Sequence, residues 1–374
     1  MRFANYNDNW NKSQLKNLCI FLKGNGVSKD ELSKEGQPCI LYGELYTTYK
    51  MSKIKEIKSR TMLDNPNLVR SKKNDVIIPC SGETAIDIAT SVCIPVDNVI
   101  LGGDLTIIRS NLDGEFLSNQ INSVKRKAIA TIAQGASIVH LHADDLKNIE
   151  IDFPTLAEQR KIADFIGVLD DRIEAQSKII DNLQSQIKWL CHKFFKGYKS
   201  NGKATIFDDL FVEYKELNNE NHTQYTIGKY GIKEMKDDHV AYSTNSHIVF
   251  LPCSLILGIG IDEIGVSKDL VGCCSPIYKT YKINTNILLP SFFNFYANFY
   301  FNEVKRFITQ KSTRREFEFD YKALHKICFN IPSIETQGEH AKLLETFMQK
   351  LQKEKDILSL YKKQKAYLLK NLFI

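Results

Sequence analysis

The stretch "PTLAEQRKIADFIGVLDDRI", Pro154 to Ile173, reads as the opening of a long helix, and a worn copy of it, "PSIETQGEHAKLLETFMQKL", begins at Pro332. Laid on one another, Pro154 to Phe195 and Pro332 to Phe373 are both 42 residues long, need no gap and keep an offset of 178. Seven positions are identical: Pro154/Pro332, Gln159/Gln337, Ala163/Ala341, Ile179/Ile357, Gln186/Gln364, Leu190/Leu368 and Phe195/Phe373. The apolar positions coincide too. Ile162, Ile166, Leu169, Ile173, Gln176, Ile180, Leu183, Ile187, Leu190 and Phe194 alternate steps of four and three, the heptad seam of a coiled coil. Their equivalents are His340, Leu344, Phe347, Leu351, Glu354, Leu358, Tyr361, Lys365, Leu368 and Leu372. A polar residue in such a seam costs stability and pins register, so Gln176 and Glu354 are expected near the middle of one shared interface. Thr155 with Glu158 has the spacing of a capping box, and Lys193, Lys196 and Gly197 read as a C-terminal stop. The spacing predicts a helix of about 35 residues, about 50 Å long.

Repetition extends upstream of each helix. "LKNIEIDFP" and "LHKICFNIP" are strand-like lead-ins at the same offset of 178, with Leu146/Leu324 and Ile149/Ile327 in common. "SVKRKAI" and "NEVKRFI" share Val-Lys-Arg at an offset of 180, and "WNKSQLKNL" resembles "GKATIFDDL" at 192. Between these anchors the two lobes show no alignable similarity. The chain is therefore read as lobe, helix, lobe, helix, with lobes at 1–153 and 200–331 and helices at 154–199 and 332–374. Two related halves pack most simply about a pseudo-twofold axis. The expected fold is α+β: two globular domains separated by two long antiparallel helices that form a coiled coil.

At 374 residues with 43% hydrophobic residues, the chain can bury more than one core. A net charge of +6 permits a polyanionic partner without demanding one. Pro154 to Phe195 holds six basic and six acidic residues, and Pro332 to Phe373 eight and five, a surplus of three. About half of the net charge is left for the lobes, so any polyanion-binding face must be local. Nine scattered cysteines without a C-x-x-C pair read as reduced thiols, and with no secretory or membrane-spanning run the protein is expected in the cytoplasm.

Catalytic signatures are weak. No G-x-x-x-x-G-K-[ST] phosphate loop occurs. "LGIGIDEIG" places Glu263 where a dinucleotide fingerprint needs its third glycine and reads as a buried strand and turn. "NPN" at Asn65 to Asn67 lacks the second proline and the aromatic of an amino-methyltransferase motif. His140 and His142 share a strand face without a supporting Cys or acid and read as two polar strand residues, and Cys273 and Cys274 point apart on an extended chain. No cofactor and no metal site is expected.

Two basic clusters fit phosphate and base contact. In the first lobe "YKMSKIKEIKSR" carries Lys50, Lys53, Lys55, Lys58 and Arg60, followed by Arg70, Lys72 and Lys73. In the second, "KRFITQKSTRR" carries Lys305, Arg306, Lys311, Arg314 and Arg315 interleaved with Thr309, Gln310, Ser312 and Thr313. Charge runs of this kind commonly face only water. The aromatic run "SFFNFYANFYF" has the density of a helix core.

The stretch "IVHLHADDLKNIEIDFPTLAEQRKIADFIGVLDDRI" resembles the conserved region after a target recognition domain in the specificity subunits of type I restriction-modification systems. Pro154, Glu158, Gln159 and Ile162 match its Pro, Glu-Gln and Ile pattern. "WNKSQLKNLCIFLKGNGV" and "GQPCILYGELYTTY" are similar to the family's opening segment, and "KKNDVIIPCSGET" to its Asp-plus-apolar strand. The second copy departs with Thr336, Gly338, Glu339 and His340. The resemblance implies a non-catalytic subunit whose two recognition domains each read half of a split site in double-stranded DNA. It also implies two modification (methyltransferase) subunits as partners, with restriction motor-nuclease subunits joining through them. A coiled-coil adaptor with protein-binding lobes and an enzyme with a metal-dependent nuclease centre are the rival readings.

Overall fold

The computed structural model describes residues 3–373 except 5, 7, 50, 136–137, 219, 221, 229–230, 237–245, 261–262 and 312–317. It divides into two compact units, residues 1–177 with 356–374 and residues 178–355. Its longest helices are α1 (Gly114–Asn122), α2 (Leu156–Asn201), α3 (Pro290–Ile308) and α4 (Ile334–Leu372). Among the described residues no helix is long and apolar enough to cross a membrane.

The first unit is built on an antiparallel four-stranded sheet in the order Cys19–Lys23, Leu105–Ser110, Val76–Pro79, Val92–Cys93. Val76, Ile78 and Ile108 enter one buried cluster with Leu117 and Ile121 of α1, while Ile77 and Ile107 enter another. The alternation is the period of two that a strand buried on both faces requires. Asp75, 1% exposed, enters this sheet beside a bidentate partner, Arg109, at 2.8 and 2.7 Å. A second four-stranded sheet joins Leu32–Ser33, Ser59–Thr61, Gln37–Ile40 and Ile100–Leu101.

The second unit repeats the first sheet. Its order is Phe211–Tyr214, Lys279–Ile283, Ser254–Leu257, Ile264–Ser267, again antiparallel throughout. Cys19 and Phe211 stand at the offset of 192 seen at the lobe starts. The "LGIGIDEIG" stretch turns between the last two of these strands, although residues 261–262 lie outside the described set. The rest of this lobe differs: two-stranded pieces, Tyr225–Gly228 with Gly231–Glu234 and Ile248–Phe250 with Gly272–Cys274, stand where the first unit has its second sheet.

Both units close with the same ladder. Asn11–Gln14 pairs antiparallel with Glu150–Phe153, Asn11 opposite Phe153; Lys203–Ile206 pairs with Cys328–Ile331, Lys203 opposite Ile331. The main-chain bond just beyond is repeated too, Leu15 N–H to Ile149 at 2.9 Å and Phe207 N–H to Ile327 at 3.1 Å. These ladders are the strand-like lead-ins of the sequence, and each delivers the chain to a long helix.

Within the first unit the opening turns of α2 (Ile162, Ala163, Ile166, Leu169) are buried against the closing turns of α4 (Leu368, Leu372, Phe373). Within the second, the closing turns of α2 (Phe195, Tyr198) share a core with Ala341 and Leu344 from the opening of α4. The two helices thus run antiparallel in each unit. Each fully buried Ile or Leu contributes about 1.5–3 kcal/mol by removal from water. The α2 start is capped by the Thr155 hydroxyl, which accepts the Glu158 N–H at 3.5 Å.

At 46 residues α2 is longer than the spacing predicted. Gly197, the expected stop, is exposed and stays helical, because Phe195 and Tyr198 beside it are held in the core. The break falls at Gly202, where a Cβ would lie 2.8 Å from both the Tyr198 carbonyl oxygen and the backbone of Asn330. The aromatic run is core as expected: Phe292, Phe293, Tyr296 and Phe301 of α3 are at most 2% exposed. All nine cysteines are free thiols. Cys273 and Cys274 turn to different carbonyl oxygens, those of His222 and Ile248.

Candidate nucleic-acid interface and the junctions that carry it

The basic residues of the first unit separate into two groups. Lys53 reaches Glu115 of α1 at 2.8 Å, and Lys55 bonds both Asp171 and Glu174 of α2. The hydrogen bond to Glu115 raises the Lys53 pKa above its ordinary value. Burial works against the Lys55 charge, yet its two carboxylate partners outweigh it and raise its pKa as well. Burial also raises the Glu115 carboxyl, and Lys53 opposes this. Next to them Lys365 of α4 pairs with Asp170 of α2, with side chains only 18% and 11% exposed. These cations tie lobe and helices together, beside a cavity of about 600 Å³ lined by Tyr49, Ile54, Lys55, Asp170, Glu174 and Lys365.

The other group faces outward. Arg60 donates to the Gly36 carbonyl at 2.9 Å and Arg70 to the Gln37 side chain at 2.7 Å, so two guanidiniums converge on neighbouring residues of one turn. Gly36 permits that turn: its φ is +106°, and a Cβ would meet the Thr61 oxygen at 2.3 Å. Lys72 and Lys73 are exposed, with backbone N–H groups held by Asp75 and Asp97 at 2.7 Å. Among the described residues neither ammonium has a carboxylate partner. Lys58 pairs with Glu56.

In the second unit Arg306, Gln310 and Lys311 are exposed, where α3 runs into the short hairpin Thr309–Gln310 with Glu318–Phe319. Phe307 beside them is 75% exposed. Lys50, Ser312, Thr313, Arg314 and Arg315 lie outside the described residues. His140 and His142 are exposed, and no group of three His, Cys, Asp or Glu able to hold a metal occurs among the described residues.

The seam residues sit as follows. In the first unit Ile162, Ile166, Leu169, Gln176 and Leu368 are buried, and Ile173 and Leu358 half-buried. In the second, Ile180, Leu183, Leu344 and Leu351 are buried, and Ile187, Leu190, Phe347 and Glu354 half-buried. None is exposed. At His340, where the first copy has Ile162, the ring stacks on Phe194 at 3.8 Å between centroids and its Nδ1 bonds the Tyr198 hydroxyl. Burial lowers its pKa.

Sequence reasoning found Gln159 and Gln337 as identities but gave them no role. Both amides are buried, 2% and 0% exposed. The Gln159 oxygen accepts the N–H of Asp113, the N-cap of α1, at 2.9 Å, and its nitrogen donates to the Pro154 carbonyl at 2.9 Å. The Gln337 oxygen accepts the N–H of Leu289, the N-cap of α3, at 2.8 Å; its nitrogen donates to Pro332 at 2.9 Å and Ile287 at 2.8 Å. The opposite long helix ends on the same spot. Phe373 lies 5.2 Å from Phe116 in the first turn of α1, and Phe195 lies 6.0 Å from Phe292 in the first turn of α3.

The chain is thus a duplicated α+β frame, in which each unit joins a sheet-rich lobe to an antiparallel helix pair by one repeated junction. Residues 7–185 match the family model of the type I restriction modification DNA specificity domain. The whole fold is similar to that of the type I restriction-modification S subunit from M. genitalium, with a TM-score of 0.64, 20% identity and coverage of 100% of this chain and 99% of that one. A chain from a structural study of complex assembly and conformational transition of the type I R-M system gives a TM-score of 0.59 at 14% identity, with 98% of each chain covered. Residues 7–185 thus match the DNA specificity domain of type I restriction modification, and the fold of the chain is similar to that of type I restriction-modification S subunits.

Proposed function

We propose that the lobes at 1–153 and 200–331 each read one half of an asymmetric, split site in double-stranded DNA, and that the long helices at 154–199 and 332–374 carry them. One observation supports this above all: the sheet and the junction are duplicated between the units, while the structure around them is not. A repeated frame with unlike heads suits two different half-sites. In the first lobe Arg60, Arg70, Lys72 and Lys73 contact phosphates. In the second, Arg306, Lys311, Arg314 and Arg315 do so, and Ser312 and Thr313 among them read base edges. The chain itself performs no reaction.

Modification subunits, two of them, dock on the outer faces of the helices, and restriction subunits join through them. The exposed apolar side chains there recur at the offset of 178: Phe165 and Leu343, Ile179 and Ile357, Trp189 and Tyr367. Trp189 is 59% and Tyr367 60% exposed, the amphipathic type enriched at protein interfaces. Gel-shift measurements with the reconstituted modification subunits test the reading. Binding that singles out one split sequence is expected, and equal affinity for every duplex would overturn it.

A further inference from the structure

We propose that Gln159 and Gln337 are positioning residues for DNA reading, setting how strictly the complex holds one separation between half-sites; this rests on the split-site reading above. The lobe helices are held at the first turns of α1 and α3. A helix leaves its leading N–H groups without partners, and a Glu or Gln three residues past the N-cap commonly reaches back to satisfy the N-cap N–H. Neither lobe helix has one. Three residues past Asp113 stands Phe116, and three past Leu289 stands Phe292. The missing acceptor arrives instead from a long helix, as Gln159 Oε1 for Asp113 and Gln337 Oε1 for Leu289. The phenylalanines that replace it receive Phe373 and Phe195 from the other long helix.

Each lobe helix is thus gripped at its start from both long helices, by one amide and one ring. The amide fixes direction better than apolar packing does, because a hydrogen bond weakens steeply with angle while a hydrophobic contact is non-directional. Each amide is also tied back to the proline that opens its own helix, Pro154 or Pro332, at 2.9 Å, so it has little freedom to follow a tilting lobe. The two grips occur in separate units and share no atom, yet match in donor, acceptor and helix position. Adjacent base pairs are displaced by about 3.4 Å along the duplex and by about a tenth of a turn around it, a misfit that a loosened lobe absorbs by pivoting.

The substitutions Gln159→Met and Gln337→Met keep length and apolar packing and delete the hydrogen bonds. The full chain carrying either one is expressed in the native host in place of the wild type, and methylated bases are mapped across the genome. Wild type is expected to mark a single half-site spacing. In the variants, marking at spacings one base pair longer or shorter is expected to rise about tenfold, with base preference inside each half-site unchanged. A lobe-core control, Ile108→Val, destabilises the first unit without widening the spacing. Retention of a single spacing by a variant that still methylates, or equal widening in the core control, overturns the inference. Should Gln159→Met fail to accumulate, Gln337→Met tests the same grip in the other unit. A wild-type pattern without any split motif overturns the split-site reading itself, a distinct outcome.

Discussion

The same junction is built twice, with different surroundings. In the first unit, ion pairs tie the lobe to the helices further along α2 from the grip of Gln159: Lys53 on Glu115, Lys55 on Asp171 and Glu174, Lys365 on Asp170, next to an open cavity. In the second, aromatic rings surround the grip of Gln337: Phe195 lies within 6.1 Å of Tyr198, Phe292, Tyr296 and Phe299, and His340 stacks on Phe194. A lobe can therefore be held to the long helices by interactions that answer to different conditions. Ion pairs near water weaken with salt, and buried rings do not.

The sharpest way to break this contrast is to delete equivalent rings. Phe195→Ala empties a site with four aromatic neighbours and should cost the second unit about 3–5 kcal/mol. Phe373→Ala, with Trp10 and Phe116 as its ring neighbours among the described residues, should cost the first unit less. Denaturant unfolding followed by hydrogen exchange in each unit measures both, and equal losses would dissolve the contrast. Next in size, Asp170→Ala leaves the Lys365 ammonium in a site where it is 18% exposed, and about 1.5–3 kcal/mol should be lost from the first unit alone.

Salt discriminates more gently. Raising ionic strength from about 0.1 to 1 M shortens the screening length from about 10 to 3 Å. Exchange protection of residues 51–58 should fall by an amount matching exposed pairs of about 0.2–1 kcal/mol each, with no change around Phe195. The smallest effect is set by pH. The His340 pKa is lowered by burial, so the unfolded chain takes up the proton first. Its stabilising share is complete above the unfolded value of 6.5 and declines as pH falls through and below it. Between pH 7.5 and 5 the second unit should lose stability that His340→Ile, the residue type of the first copy, retains. A thermal melt of both proteins at the two pH values decides this.

The long helices were legible because a period of 3.5 persists over 42 residues in two copies, and coincidence seldom survives that length. The lobes' common sheet was not, since a strand needs only alternating apolar residues and many sequences supply them. Val76–Pro79 and Ser254–Leu257 occupy equivalent places with one shared isoleucine between them, too little to betray it. The glutamine grip was half visible: Gln159 and Gln337 stood out, but their partners are backbone N–H groups, which leave no mark in a sequence. Phe116 and Phe292 escaped because their offset is 176, two short of the helices'. In the basic run from Lys50 to Arg60, nothing local distinguishes Lys55, bound to carboxylates more than a hundred positions away, from Arg60. Only the fold brings those acids near.

The hydrogen bonds of Gln159 and Gln337 address main-chain atoms alone. A socket of that kind places almost no demand on side-chain identity. The heads are free to drift, or to be exchanged for others with a similar first helical turn, while the fitting that receives them stays the same.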